Sequence, residues 1–296
     1  MLVNNTALVS ETTHISSAKL AKVSAALQKQ ATRDFGPIWD VHATVDAFAR
    51  LQDVPVGYWP IVVRDDIHQP GAAGVHLDRN GQPFALVQYD QGWALTASHE
   101  MLEMLADPFG NRLVAGDSPK PGQGRVEFMV EVADPSEAPE FGYTVNGILL
   151  SDFITPKFYD PVAAPDIRYS FNNKLPRPRD IVKGGYISFH DPVSNHWWQK
   201  IWFGPKPQFR DLGVMTGAAG SLRAAIDAKT DTARQVTEMT AAAPELQATL
   251  AARPKHFESS EARASHLKER IEEIVASGPS YTWEDEGEVI EAEPAE

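Results

Sequence analysis

The chain has 296 residues, 43% of them hydrophobic, enough to bury a substantial core in one large domain or two ordinary ones. Its formal net charge of −13 argues against nonspecific nucleic-acid binding, which needs a basic face to displace phosphate counterions. The absence of cysteine excludes disulfides, thiolate zinc sites and a cysteine nucleophile, leaving His and carboxylates as the strong metal ligands.

Taken in chain order, residues 17–32 predict a helix, with Leu20, Val23, Leu27 and Ala31 on one face, Ser16 or Ser17 as cap, and Gly36-Pro37 as its end. Trp39, Val41, Ala43 and Val45 then alternate with polar residues as in a strand, and residues 58–63 predict another. Asn80-Gly81 between residues 74–78 and 83–89 signals a hairpin, because both turn positions tolerate positive φ. A second helix is expected over residues 93–107, followed by a Gly- and Pro-rich loop over 110–124 and a strand over 127–134. Two more hairpins are expected, one around Asn146-Gly147 and one pairing 185–189 with 197–203. Residues 221–250 and 260–276 predict Ala-rich helices, and seven acids from Glu284 to Glu296 without a compensating cation mark a disordered tail.

These elements predict an α+β fold in three parts: residues 1–212 as the main domain with additional β-hairpins, 213–278 as a helical C-terminal appendage, and 279–296 as the acidic tail. No apolar run approaches the roughly 18 residues of a membrane span, and no basic segment leads into a shorter one. The expected location is cytoplasmic, with no membrane and no nucleic-acid partner. The C-terminal helices are the candidate surface for a protein partner or for self-association.

The chemistry concentrates in WALTASHEMLEMLAD, residues 93–107. Leu95, Met101, Leu102, Met104 and Leu105 surround this segment, and a helix that is apolar all round is buried. His99, Glu100 and Glu103 therefore need a cation, a cavity or a hydrogen-bond network. Positions 99 and 103 lie one turn apart on one face and can converge on a single ion, while Glu100 lies about 100° round the helix, where it can reach a water and serve as general base. A further ligand must come from elsewhere: Glu131 and Asp134 are the leading choices, with Asp107 and Asp152 as alternatives. Tyr143 or Tyr186 is the candidate phenolic donor to an oxyanion. The competing reading is a structural polar network in the core.

Residues 98–103, Ser-His-Glu-Met-Leu-Glu, resemble the active helix of zincin-type metallopeptidases, with Glu103 where the second His normally stands. The order of helix, strands with a hairpin, and motif helix is similar to the upper half of a zincin domain. This resemblance implies a zincin-like core of mixed sheet and active-site helix, with zinc bound by His99, Glu103 and Glu131 or Asp134, and hydrolysis of a peptide or amide bond in a peptide or protein substrate. Manganese, iron or calcium become competitive as ligands turn to oxygen. Loss of the second His motivates the alternative of a noncatalytic zincin-like binding or assembly protein. The HExLEMLxDP run, residues 131–135 and the 145–153 region also resemble uncharacterised bacterial and phage proteins, from which no function carries over.

His76, His190 and His196 sit beside turns, where imidazoles are usually exposed. Trp197, Trp198 and Trp202 read as strand packing rather than a groove. The glycines at 71, 74, 122 and 124 make no phosphate loop, since no Gly-Lys-Ser/Thr follows.

Overall fold

The computed structural model describes residues 3–68, 72–79, 81–215 and 221–230. The expected helix over 260–276, most of that over 221–250 and the acidic tail lie outside the described residues.

The first helix, α1 (Ser17–Lys29), starts where Ser16 accepts the Lys19 N–H at 3.3 Å. It does not stop at Gly36-Pro37. A π-helical turn, Gln30–Phe35, carries it into α2 (Gly36–Trp39), and the end comes at Asp40, with φ 55°. Pro37 occupies the first turn of α2, where no N–H is needed. Gly36 allows a close approach, since a Cβ there would stand 2.6 Å from the Val41 carbonyl oxygen. Trp39 consequently belongs to the helix, donating its indole N–H to the Ile154 carbonyl at 2.8 Å, and the strand expected from Trp39 begins only at Ala43.

Strands β1 (Asn4–Ser10), β2 (Ala43–Phe48), β3 (Tyr58–Arg64), β4 (Gly74–Arg79) and β5 (Gln82–Gln88) form a sheet in the order β2-β1-β3-β5-β4. Four are mutually parallel, and β4 runs antiparallel along the edge through the expected hairpin. Both faces are covered, so the inner strands read as continuous apolar runs. Leu8, Ile61, Val63, Ala85 and Val87 join the core shared with α1 and with α3 (Trp93–Ala106), while Ala7, Val9, Val62, Phe84 and Leu86 pack with Leu51, Val54 and Ile67. On β4 the alternation places Val75 and Leu77 with the second cluster and turns Gly74 and His76 towards α3.

The second sheet is antiparallel, with order β12-β11-β10-β7-β6, and contains β6 (Leu113–Asp117), β7 (Arg125–Met129), β10 (Tyr186–Asp191), β11 (His196–Ile201) and β12 (Gln208–Gly213). Part of the expected 110–124 loop is therefore strand β6. The strand expected over 127–134 is cut short at Met129: the Glu131 N–H turns back to the Met129 carbonyl at 3.1 Å, and Pro135 has no N–H for a ladder. The small hairpin β8 (Tyr143–Val145) and β9 (Ile148–Leu150) turns at Asn146 and Gly147, with φ 51° and 74°. Helix α4 (Leu222–Thr230) buries Ile226 against Met129, Trp197 and Leu212. The fold is α+β, and no helix among the described residues is long and apolar enough to cross a membrane.

Candidate metal centre

Helix α3 is buried along most of its length, as its apolar circumference predicts. Its rotation is fixed by hydrogen bonds on one side. Ser98 Oγ donates to Gln30 Oε1 at 2.7 Å and accepts the Ser151 N–H at 3.0 Å, so the widened π-helical turn reaches α3 directly. At its C-terminus Asp107 accepts the Arg112 N–H at 2.6 Å, which assigns Asp107 to ending the helix rather than to ligation.

The fixed helix presents His99 and Glu103 to the turn after β7. His99 Nε2 lies 3.3 Å from Glu103 Oε1 and 3.2 Å from Asp134 Oδ1, and Glu103 Oε1 accepts the Ala133 N–H at 3.4 Å. Asp134 opens a short 3-10 turn, Asp134–Ser136, pinned by the Val182 N–H on the Pro135 carbonyl at 3.1 Å. Gly185 is part of this support, since a Cβ there would come within 2.8 Å of the Asp134 carbonyl oxygen. Neither Asp134 carboxylate oxygen has a well-directed hydrogen bond, although the residue is buried. Two donors bound at about 2.1 Å and at the tetrahedral angle around one ion stand about 3.4 Å apart. Charge-assisted hydrogen bonds are shorter, about 2.7–2.9 Å. The two separations from His99 fit the first pattern better than the second, and all three ligand atoms lie within 4.8 Å of one another.

The structure places the two leading distal candidates differently. Asp134 reaches His99, whereas Glu131, also buried, is in close contact with the guanidinium of Arg223. Arg223 Nη1 further lies 3.5 Å from Glu103 Oε2 and 3.6 Å from Asp134 Oδ2, and its Nη2 donates to Tyr186 Oη at 3.3 Å. Asp152 is occupied elsewhere, accepting the Asn172 N–H at 2.7 Å. Tyr143 is not brought to the cluster: its hydroxyl donates to Asp34 Oδ2 at 3.0 Å and accepts from Gln30 Nε2 at 3.1 Å. Of the two candidate phenols, Tyr186 is the one that lines the cavity beside the cluster.

Matching family models, curated proteins and solved structures against this chain finds no relative.

A cavity of about 600 Å³ opens on the cluster, and His99, Glu100, Asp134, Glu137, Tyr186 and Arg223 line it. The electrostatics are dominated by crowded acids. Burial, then Glu103, pushes the Asp134 carboxyl up to about 7, and burial, then Asp134, pushes Glu137 up to about 8. Burial acts against the charged form of Glu103, yet His99, His76 and Arg223 hold it well below the usual carboxylate range. Burial likewise opposes charge on His99, but Glu103 and Asp134 outweigh it and raise the imidazole well above its ordinary value. Burial, then Asp134, also pushes the Tyr186 phenol well up, so it stays a hydrogen-bond donor.

Two members were not among the expected ligands. His76 is buried on β4, with Nδ1 3.4 Å from Glu103 Oε2 and 3.6 Å from Glu100 Oε2. Its signal in the sequence was the strand alternation, which sets it opposite Val75 and Leu77. Arg223 had no such signal in an Ala-rich helix. The other two turn histidines are elsewhere, His190 pairing with Glu127 at 3.0 Å and His196 with Asp211 at 3.0 Å.

Proposed function

We propose that this protein is a metal-dependent hydrolase with a zincin-like core, acting on a peptide or amide bond. The observation that carries the reading is the convergence of His99 Nε2, Glu103 Oε1 and Asp134 Oδ1 beside the cavity, at the spacing of ligands around one cation. The order of helix, strands, antiparallel edge strand and motif helix supports the zincin-like reading. With one imidazole and two carboxylates, zinc competes with manganese, iron and calcium.

When bound, a divalent ion at these residues supplies Lewis acidity and makes water acidic near neutral pH. Glu100, on the next face of α3 and lining the cavity, takes the water's proton and returns it to the leaving amine. Tyr186 Oη and the Arg223 guanidinium supply donors for the negative charge that develops on the carbonyl oxygen.

A second reading is a noncatalytic scaffold, favoured by Arg223, whose guanidinium already meets Glu103, Glu131 and Asp134. In that reading the acids serve an internal organic cation, and the C-terminal region engages a partner. Incubation of the full chain, loaded with zinc or manganese, with a quenched fluorescent peptide library separates the two. Cleavage that a chelator abolishes and added metal restores is expected. No cleavage of any library member under metal saturation supports the scaffold.

A further inference from the structure

We propose that His76, Glu100 and Glu103 form a second divalent-cation position, joined to the first through the Glu103 carboxylate as a bridge. This rests on the cation reading of His99, Glu103 and Asp134 and extends it to a two-ion centre.

The first observation is the division of the Glu103 carboxylate. Its Oε1 faces His99 at 3.3 Å, and its Oε2 faces His76 at 3.4 Å. A carboxylate with one oxygen turned to each of two ligand groups is the geometry of a bridge between paired ions, which stand about 3.5–4 Å apart in two-metal sites.

The second observation is His76 itself. It is 3% exposed, on an edge strand whose other face packs on apolar residues, and neither ring nitrogen has a well-directed hydrogen bond. Glu100 Oε2 is likewise buried without one. A buried imidazole that made an ordinary ion pair would close to about 2.7–2.9 Å on its carboxylate. Nδ1 instead stands 3.4 Å and 3.6 Å from its two carboxylate oxygens, near the roughly 3.4 Å separation of tetrahedral ligands on one ion.

Gly74 on the same strand keeps this pocket narrow, because a Cβ there would meet Glu100 Oε1 at 2.5 Å and Thr96 Cγ2 at 2.6 Å. Gly74 and His76, two residues apart on one face of β4, therefore both approach Glu100.

Charge points the same way. Glu100, Glu103, Glu131 and Asp134 bring four carboxylates to one place, against one permanent cation, Arg223. With both imidazoles neutral, as metal ligation requires, three negative charges remain, more than one divalent ion balances. Arg223 Nη1 also lies 3.5 Å from Glu103 Oε2 and 3.6 Å from Asp134 Oδ2, and with ions bound it keeps its contact with Glu131, which belongs to neither ligand group. Glu100 holds the second ion through Oε2 and keeps Oε1 for the proton of water.

The test counts ions. The full chain is brought to equilibrium with saturating Mn²⁺, bound metal per chain is measured by elemental analysis, and the electron paramagnetic resonance spectrum is recorded. Two ions per chain with an exchange-coupled spectrum are expected for the wild type. One ion with the six-line spectrum of isolated Mn²⁺ is expected for His76→Gln. One uncoupled ion in the wild type overturns the second position and leaves the first standing. No bound ion overturns both readings, and two ions retained in His76→Gln remove His76 from the centre. Should His76→Gln fail to fold, the wild-type stoichiometry and coupling decide the matter alone.

Discussion

His99 Nε2 stands 3.2 Å from Asp134 Oδ1, which brings a helix from one side of the core and a turn after the second sheet's strand β7 to one point. Glu131, only three positions earlier, meets Arg223 instead. Asp134→Asn is therefore expected to weaken binding of a divalent ion by more than the roughly 10–100-fold typical of losing an outer-shell partner, and Glu131→Gln by much less. Calorimetric titration of both variants with zinc or manganese checks this, and equal losses in the two would remove the distinction between them.

Glu100 lines the cavity beside the proposed ion without belonging to the His99, Glu103 and Asp134 group. Glu100→Gln keeps the shape but removes the base, and with it one carboxylate of the proposed second position. Chelator-sensitive peptide cleavage is expected to fall by about 10²–10⁴-fold while the ion at His99 stays bound. Full-rate cleavage by this variant would show that Glu100 is not the base.

Arg223 is the internal cation among the acids. Arg223→Ala leaves Glu103, Glu131 and Asp134 without it, and breaking such a buried pair costs about 3–5 kcal/mol when nothing replaces the charge. A divalent ion that binds only the folded chain is expected to recover much of that loss, and to stabilise the variant more than the wild type. Urea denaturation with and without metal gives both numbers. A variant equally unstable under the two conditions would favour the scaffold reading.

Away from the site, Lys200 Nζ lies 2.9 Å from Asp180 Oδ1, with both side chains largely covered. Burial acts to raise the Asp180 carboxyl, but Lys200 outweighs it and holds the pKa below the ordinary value. A carboxyl depressed in the folded state stabilises the fold above its unfolded pKa of about 3.9, and that contribution disappears as pH falls through the folded value. Asp180→Asn is expected to lose about 1–2 kcal/mol at neutral pH and to converge with the wild type in acid. A gap that persists unchanged in denaturation at about pH 2.5 would contradict the assignment.

Much of this arrangement is legible in the sequence where local rules dominate. The apolar circumference of residues 93–107 gives α3 and its burial, and the Asn146-Gly147 turn gives the β8–β9 hairpin. Strand β1 was not expected, because Asn4, Asn5 and Thr6 open it and only its parallel neighbours bury Ala7, Leu8 and Val9. β6 is hidden in turn-like composition, and Gly116 there serves close packing, a Cβ lying 3.0 Å from the Phe128 ring.

The candidate site divides in the same way. His99 and Glu103 follow from helical spacing, and Asp134 follows only as one of two choices, since a strand and an irregular turn point Glu131 differently. His76 looks exposed when read beside a turn, and becomes a core residue only once β4 is laid along α3. Arg223 depends on α4 docking through Ile226, a tertiary event that no local pattern encodes. Tyr143 shows the converse: a phenol of suitable chemistry that the fold ties to Asp34.

Anomalous diffraction from crystals of the zinc- or manganese-loaded protein locates the ion at His99, Glu103 and Asp134 if it is there. A peak is expected at the metal edge within about 2.0–2.2 Å of His99 Nε2, Glu103 Oε1 and Asp134 Oδ1. Absence of a peak there under metal saturation, with the Arg223 guanidinium held among the same acids, would contradict a metal centre at these residues.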